Sequence, residues 1–329
     1  MTSKVASTEN FQEPVGTLIR RSLEEQGFAT DVIETMFKCR RNTSVSLYDS
    51  YLNRWSDFCH VNNIDPIQCS SVVYVLRFLQ DLFNEGTRGA SAICTARSAI
   101  SSIVILPDGS KVGENMYVKQ FIKGIKSLRP AEPRYLSTWD PDVVLDMFRL
   151  DEWNPPQDLS IMQLTVKTVM LILLATFQRG QIIIALNLDR MCKTENEFRF
   201  KILNSDLKQG SSSKFVAKPV IFVKRTDCAE LDIFTHLDEY VSRTAALRGE
   251  VKQLFLITRK PFRAASRDSI SHWVKAAMRE ANIDVSMFAP GSTRGAASSG
   301  AYLAGVPIDE ICKKAGWSQA STFFKWYNR

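Results

Sequence analysis

From Ser44 onward, apolar residues recur at three- and four-residue steps. Val45, Tyr48, Leu52, Trp55 and Cys59 fall on one face of SVSLYDSYLNRWSDFCHVNN. That is the helical period, and the Ser/Thr cluster before it supplies a cap, so an amphipathic helix is expected here. The spacing returns in DPIQCSSVVYVLRFLQDLFNEG, with Val72, Val75, Leu76, Leu79, Leu82 and Phe83 turned inward and Gly86 closing the helix. A third helix, ASAICTARSAISSIVI, is rich in small residues that permit close packing. After the turn PDGS a fourth, NMYVKQFIKGIKSLRP, runs to Pro130, which disfavours helix at the residue before it.

The stretch AEPRYLSTWDPD carries neither the helical nor the strand period and reads as an extended linker. We therefore expect a flexible polar leader over 1–15, an all-helical domain of four or five helices over 16–133, and a second domain over 134–329. The second domain opens on WDPDVVLDMFRL, a helix with an aspartate cap and an early proline. LSIMQLTVKTVMLILLAT is apolar nearly all round and should be a central helix. The period then changes: EFRFKIL and KPVIFVKR, flanking NSDLKQGSSSKFVA, give a hairpin signal. Two further helices, AELDIFTHLDEYVSRTAALR and SRDSISHWVKAAMREANI, enclose the strand-like QLFLIT, and two or three more close the chain. The expected fold class is mainly α with a small β hairpin or sheet, a helical domain followed by an α+β domain.

Composition narrows the picture only in places. The 329 residues suffice for two cores, and 45% apolar with 23% charged residues is an ordinary globular balance. A net charge of +7 permits a polyanion partner without demanding one. Residues 1–37 hold more acidic than basic side chains, so the basic excess lies later, in KCRR, KQFIKGIKSLR and FVKRT. Seven cysteines show no CxxC and no histidines at zinc spacing, which argues against a disulfide framework or a metal site; buried free thiols are expected. The longest apolar run, VMLILLATF, is about half of the roughly 20 residues a membrane span needs, so no membrane partner is expected. MTSKVASTENFQEP has no apolar signal-peptide core.

Five residues could carry chemistry together. Arg179 follows the central apolar helix in LATFQRGQIIIAL, where a solvated arginine is not expected. Lys208 lies in the hairpin SDLKQGSSSK, with Lys214 and Lys218 as competitors, and Arg294 sits among small residues in GSTRGAASSGAYLAGV. Trp317, in AGWSQAS, offers an indole N–H that can only donate. Tyr327 closes STFFKWY, where Phe323, Phe324 and Trp326 can seat a helix. Singly, each has an ordinary reading as a core or solvated side chain. Jointly they suit a phosphodiester: a phenol of pKa about 10 attacks phosphorus poorly unless guanidinium groups neutralise the growing charge. A lysine on a hairpin can then protonate the leaving oxygen.

The run STRGAASSGAYLAGVPIDEICKKAGWSQASTFFKWY resembles the catalytic domain of the tyrosine recombinase (phage integrase) family, whose site is Arg, Lys, His-x-x-Arg, His or Trp, and Tyr. Its wording, with FQRGQ, is most similar to the recombinases of DIRS-type retrotransposons, and the first domain resembles the family's helical core-binding (SAM-like) domain. The resemblance implies site-specific DNA recombination or integration without metal or other cofactor. Tyr327 would form a 3′-phosphotyrosine bond, Arg179 and Arg294 would stabilise the phosphorane, Lys208 would protonate the 5′ oxygen, and Trp317 would hold a phosphate oxygen. The implied partners are double-stranded DNA and further copies of the chain, four protomers on two duplexes. The implied compartment is the nucleus for a eukaryotic mobile element, otherwise cytoplasm or nucleoid. In the helical domain Arg88, Arg97, Lys119, Lys123 and Lys126 are candidates for phosphate contacts.

Two departures from the family pattern stand out. Gly291 occupies the usual histidine position three residues before Arg294, and Phe177 and Ile182 replace the common glycine and acidic residue around Arg179. His272, in SISHWVK, reads as an ordinary helix residue and not as a substitute. A rival reading keeps the fold and DNA binding but drops catalysis; a second is a helical scaffold with no nucleic-acid partner.

Overall fold

A computed structural model describes residues 16–39, 42–87, 89–207 and 216–328. The leader over 1–15, Arg88, Lys208 and Lys214 lie outside the described residues. The chain divides between Glu132 and Pro133 into two units, each with its own apolar core.

In the first unit the described residues form six helices: α1 (Thr17–Glu25), α2 (Thr30–Lys38), α3 (Asn42–Val61), α4 (Val72–Asn84), α5 (Ala90–Ile100) and α6 (Met116–Leu128). The stripe expected in α3 is the buried one, with Leu52, Trp55 and Cys59 at 0% exposure. Trp55 satisfies its indole N–H on Pro66 O at 2.8 Å and meets Phe78 edge-on. The alanines of α5, Ala90, Ala96 and Ala99, are buried and let that helix lie against α3. Ser71 and Asn115 cap α4 and α6 through their side-chain oxygens. α1 and α2 add to the helices expected; each is only nine residues long, too short for the period to stand out.

In the second unit α7 (Pro141–Arg149) leads to α8 (Ile161–Thr176), buried without a break from Leu164 to Leu174. Around α8 pack α10 (Ile233–Thr244), α11 (Arg267–Glu280) and α12 (Thr293–Leu303), while the short α9 (Gln181–Ala185) follows it in the chain. The chain ends in α13 (Ile308–Ala315) and α14 (Ala320–Trp326). Gly300 is required where α12 crosses α7, since a Cβ there would come within 2.7 Å of the Pro141 ring. The sheet is three-stranded and antiparallel in the order β1 (Met191–Lys193), β2 (Glu197–Phe200), β3 (Val220–Val223). Phe198 pairs with Phe222, and both point inward with Phe200. QLFLIT does not join this sheet; Gln253 and Leu256 make isolated bridges to Asn187 and Ala264, and Leu254, Phe255 and Leu256 are core residues.

All seven cysteines are free, but only Cys59, Cys69 and Cys312 are buried, which corrects the expectation of uniformly buried thiols. Cys39 and Cys192 end a helix and line a sheet edge, places with no core to enter. Among the described residues no helix is long and apolar enough to cross a membrane.

Lys167, within the apolar α8, is fully buried and holds Phe148 O, Trp153 O and Asn154 Oδ1 at 2.8–2.9 Å. Burial pulls its pKa down to about 8. Nearby His236 is also buried, bonded through Nδ1 to Asp232 O at 2.7 Å, with Nε2 unpartnered. Burial and the charge of Lys167 push this imidazole down to about 4. The unfolded chain takes up that proton below about pH 6.5, whereas the folded chain does so only near the depressed value. Stability contributed by the neutral ring is therefore fully present above about pH 6.5 and lost as pH falls towards 4, by up to about 3 kcal/mol. Hydrogen exchange of α10 amides at pH 7 and pH 4.5 should show the loss, and His236→Asn should flatten it; an equal pH dependence in the variant contradicts the assignment.

Candidate active site

The site is assembled from three places in the second unit. The first is the turn after α8. Phe177 ends that helix in the left-handed conformation (φ 52°), with its ring buried and Lys314 Nζ 5.9 Å from its centroid. A side chain pays about 1–2 kcal/mol in this conformation, which glycine avoids. Phe177→Gly is thus expected to be less destabilising than Phe177→Ala by about 1 kcal/mol, although both lose the roughly 3–5 kcal/mol of a buried ring. Urea midpoints in the opposite order contradict strain at this turn.

The turn brings Arg179 out of the core. It is exposed, correcting the expectation of an unsolvated arginine: the buried run of α8 ends at Leu174, and among the described residues none encloses the side chain at position 179.

The second place is the start of α12. Trp139 Nε1 donates to Ser292 Oγ at 2.9 Å and fixes the turn before it. Arg294, the second residue of the helix, is only 4% exposed. Its Nη2 donates to Ala315 O at 2.8 Å, while its Nε is buried with no partner. Gly291, in the preceding turn, has open space where a side chain would begin.

The third place is the α13–α14 segment. Gly316 (φ 71°) closes α13 in the left-handed conformation and Trp317 N donates to Cys312 O at 2.9 Å, which leaves the last carbonyls of α13 to side chains. The Arg294 guanidinium carbon lies 4.7 Å from the Trp317 ring centroid and 5.5 Å from that of Tyr327. The two rings are 4.6 Å apart at 35°. Trp317 Nε1 is buried and unpartnered. Tyr327 is half-buried, its N donates to Phe323 O at 2.8 Å, and Ser299 Oγ donates to its carbonyl. Phe323 is fully buried and seats α14; Phe324 meets Tyr302 of α12 edge-on at 5.8 Å although it is 45% exposed, and Trp326 is 37% exposed. Positions 323 and 327 share one helix face, and 324 and 326 turn away from it.

The electrostatics are unusual for a core. Burial, and next the charge of Arg179, lower the Arg294 pKa to about 10, with Tyr327 acting in the opposite sense. Arg294 remains a cation at neutral pH, and no carboxylate pairs with it among the described residues. An uncompensated buried charge and unsatisfied buried N–H groups are each costly, so the arrangement is suited to receive an anion with several acceptor oxygens.

Arg294, Trp317 and Tyr327 are thus in mutual contact, and Arg179 lies within electrostatic reach. Lys208 lies outside the described residues, as does Arg88. The remaining candidates belong to the first unit. Arg97, on α5, is half-buried with Nη2 on Ser98 Oγ at 3.3 Å and Nε unpartnered, and Lys119, Lys123 and Lys126 are exposed along α6. His272 is exposed on α11, bonded to Asp268 O. Sequence reasoning missed Ser299, which holds the backbone of Tyr327, and the glutamines flanking Arg179; uncharged side chains bonding to carbonyls leave no compositional signal.

No protein-family model matches the sequence. No curated protein matches it either. Solved structures do match. The XerH site-specific recombinase, in a post-cleavage complex with a palindromic difH substrate, aligns with a TM-score of 0.59 and 12% identity, covering 95% of this chain and 86% of that one. The Tn1549 transposon integrase in complex with transposon right end DNA aligns at 0.51 and 11%, covering 96% and 95%. A lambda integrase dimer bound to a COC′ core site aligns at 0.50 and 12%, covering 95% and 94%. At these identities the likeness is one of backbone, and what it establishes is that the chain has the fold of the tyrosine recombinases.

Proposed function

We propose that this chain breaks and rejoins duplex DNA through a covalent phosphotyrosine, as a site-specific recombinase or integrase. The observation that carries the reading is the buried, carboxylate-free Arg294 in contact with Trp317 and Tyr327 and in the field of Arg179. Tyr327 Oη gives up its proton to solvent water and bonds to the scissile phosphorus as the P–O5′ bond breaks, leaving a 3′-phosphotyrosine. Arg179 and Arg294 neutralise the charge that builds on the non-bridging oxygens. Trp317 Nε1 donates to one of those oxygens, and Lys208 gives its proton to the departing 5′ oxygen. A 5′-hydroxyl of another strand reverses the step, because the phosphodiester energy is kept in the tyrosyl ester. Arg97, Lys119, Lys123 and Lys126 supply phosphate contacts from the first unit, and copies of the chain associate on the DNA; DNA-bound complexes of XerH and lambda integrase support this reading.

The test is a duplex nicked beside the scissile phosphate, so that the short 5′ product diffuses away and the covalent complex accumulates. A denaturant-resistant adduct whose peptide map places the nucleotide on Tyr327 is the expected result. Salt-sensitive binding with no adduct on any of a panel of nicked duplexes favours a second reading, a recombinase fold that binds DNA without cleaving it. The open space at Gly291 is the observation behind that alternative.

A further inference from the structure

The segment FQRGQ places a glutamine on either side of Arg179, and each is tied to a different element. Gln178 Nε2 donates to Lys314 O near the end of α13. The adjacent carbonyl, Ala315 O, accepts Arg294 Nη2 at 2.8 Å. Two neighbouring carbonyls of one helix end therefore hold the loop of Arg179 and the head of Arg294 in a common register. On the other side Gln181 Nε2 donates to Asp206 O at 2.6 Å. Asp206 is itself fixed, its carboxylate accepting Arg190 Nη1 at 2.6 Å and Leu203 N at 3.1 Å.

These ties answer a physical need. Arg179 is exposed and makes no ion pair among the described residues. An arginine side chain has about 2 kcal/mol of rotamer entropy to lose. Position 182 cannot help, because Ile182 is 4% exposed and belongs to the apolar core. Two cations that repel one another stay close only if the backbone carrying them is anchored. We propose that Gln178 and Gln181 are positioning residues that brace the Arg179 loop, one against the carbonyl end of α13 that also holds Arg294, the other against Asp206 at the exit of β2. The inference rests on the strand-transfer reading for its purpose, but its geometry can be tested apart from catalysis.

Gln178→Met and Gln181→Met keep size and remove the donor. Inorganic phosphate, titrated by calorimetry, probes the two arginines without requiring chemistry. Each variant is expected to bind phosphate about 5- to 10-fold more weakly than wild type, the worth of one hydrogen bond, with a melting temperature lowered by no more than the roughly 2–4 °C that the lost bond itself accounts for. In an Arg179→Ala background the same substitutions should add nothing. In the nicked-duplex assay the trapping rate at saturating DNA should fall by roughly 10- to 100-fold while half-saturating DNA is unchanged. Wild-type phosphate affinity in the variants, a penalty that persists without Arg179, or a lowered melting temperature with phosphate binding intact overturns the proposal. Weakened phosphate binding alongside a wild-type chain that never traps DNA leaves the braces standing and sinks strand transfer. A wild-type chain that neither binds phosphate nor traps DNA sinks both.

Discussion

Arg294→Met is expected to lower covalent trapping by ~10³-fold or more while leaving the second unit as stable as wild type, or more so. The rate effect follows from removing a preorganised donor aimed at developing charge, which typically costs ~10²–10³, compounded here by leaving Tyr327 without its cationic neighbour. The stability effect has the opposite sign from that of most core substitutions. A folded-state pKa lowered from 12.5 to about 10 means that the fold disfavours the charged form, by about 3 kcal/mol. Against this stand one charge-assisted bond to Ala315 O, worth about 1.5–3 kcal/mol, and ring contacts worth about 1 kcal/mol. These nearly cancel, and methionine fills the space. Arg248 is the control. It too is buried, but it bonds Gln253 O, Leu254 O and Thr244 Oγ1, holding a loop together, and among the described residues no second cation shifts it. Arg248→Met should lower the melting temperature clearly. If Arg294→Met unfolds as readily as Arg248→Met, Arg294 is a structural arginine and the anion site loses its centre.

Long, regular periods made the helical frame legible. α3 and α8 each carry enough turns for one face, or the lack of a polar one, to show, and the hairpin of β2 and β3 showed through two short strand-like runs on either side of a polar Gly/Ser stretch. β1 did not, because it is three residues at a sheet edge whose partner, not its composition, makes it a strand. α9 went unread for a related reason: Ile182, Ile183 and Ile184 favour a strand locally, and the surrounding core settles the helix. Lys167 stood in plain view inside an apolar run, yet its meaning depends on three acceptors 13 to 19 positions away. Arg294, Trp317 and Tyr327 were picked out only through the family resemblance that their joint spacing carries, and the structure brings the three side chains into contact. Gln178, Gln181 and Ser299 act through backbone carbonyls, and where those carbonyls end up is decided only by the fold.

Gly291→His is expected to raise the trapping rate by ~10²-fold or more, within the ~10²–10⁴ range of a positioned acid–base group. Nothing lies within 4 Å of a Cβ built on Gly291, and its backbone is not in the left-handed region, so a side chain can begin there without a clash at Cβ or backbone strain. It would stand in the turn that leads directly into Arg294. The three histidines of the chain do not supply the function from elsewhere in the second unit: His236 is sealed in the core and His272 is bonded on the surface of α11, while His60 belongs to the first unit. An imidazole at 291 should also add a limb to the pH–rate profile near its ordinary value of about 6.5, absent from wild type and from Gly291→Ala. Gly291→Ala controls for backbone stiffening, which alone adds no proton-transfer group. A faster Gly291→His with a new pH limb shows that the rest of the constellation is assembled and that the wild-type rate is held down by one missing side chain. An unchanged rate and profile, with the adduct still mapping to Tyr327, shows instead that proton transfer at this position does not limit the reaction of this chain.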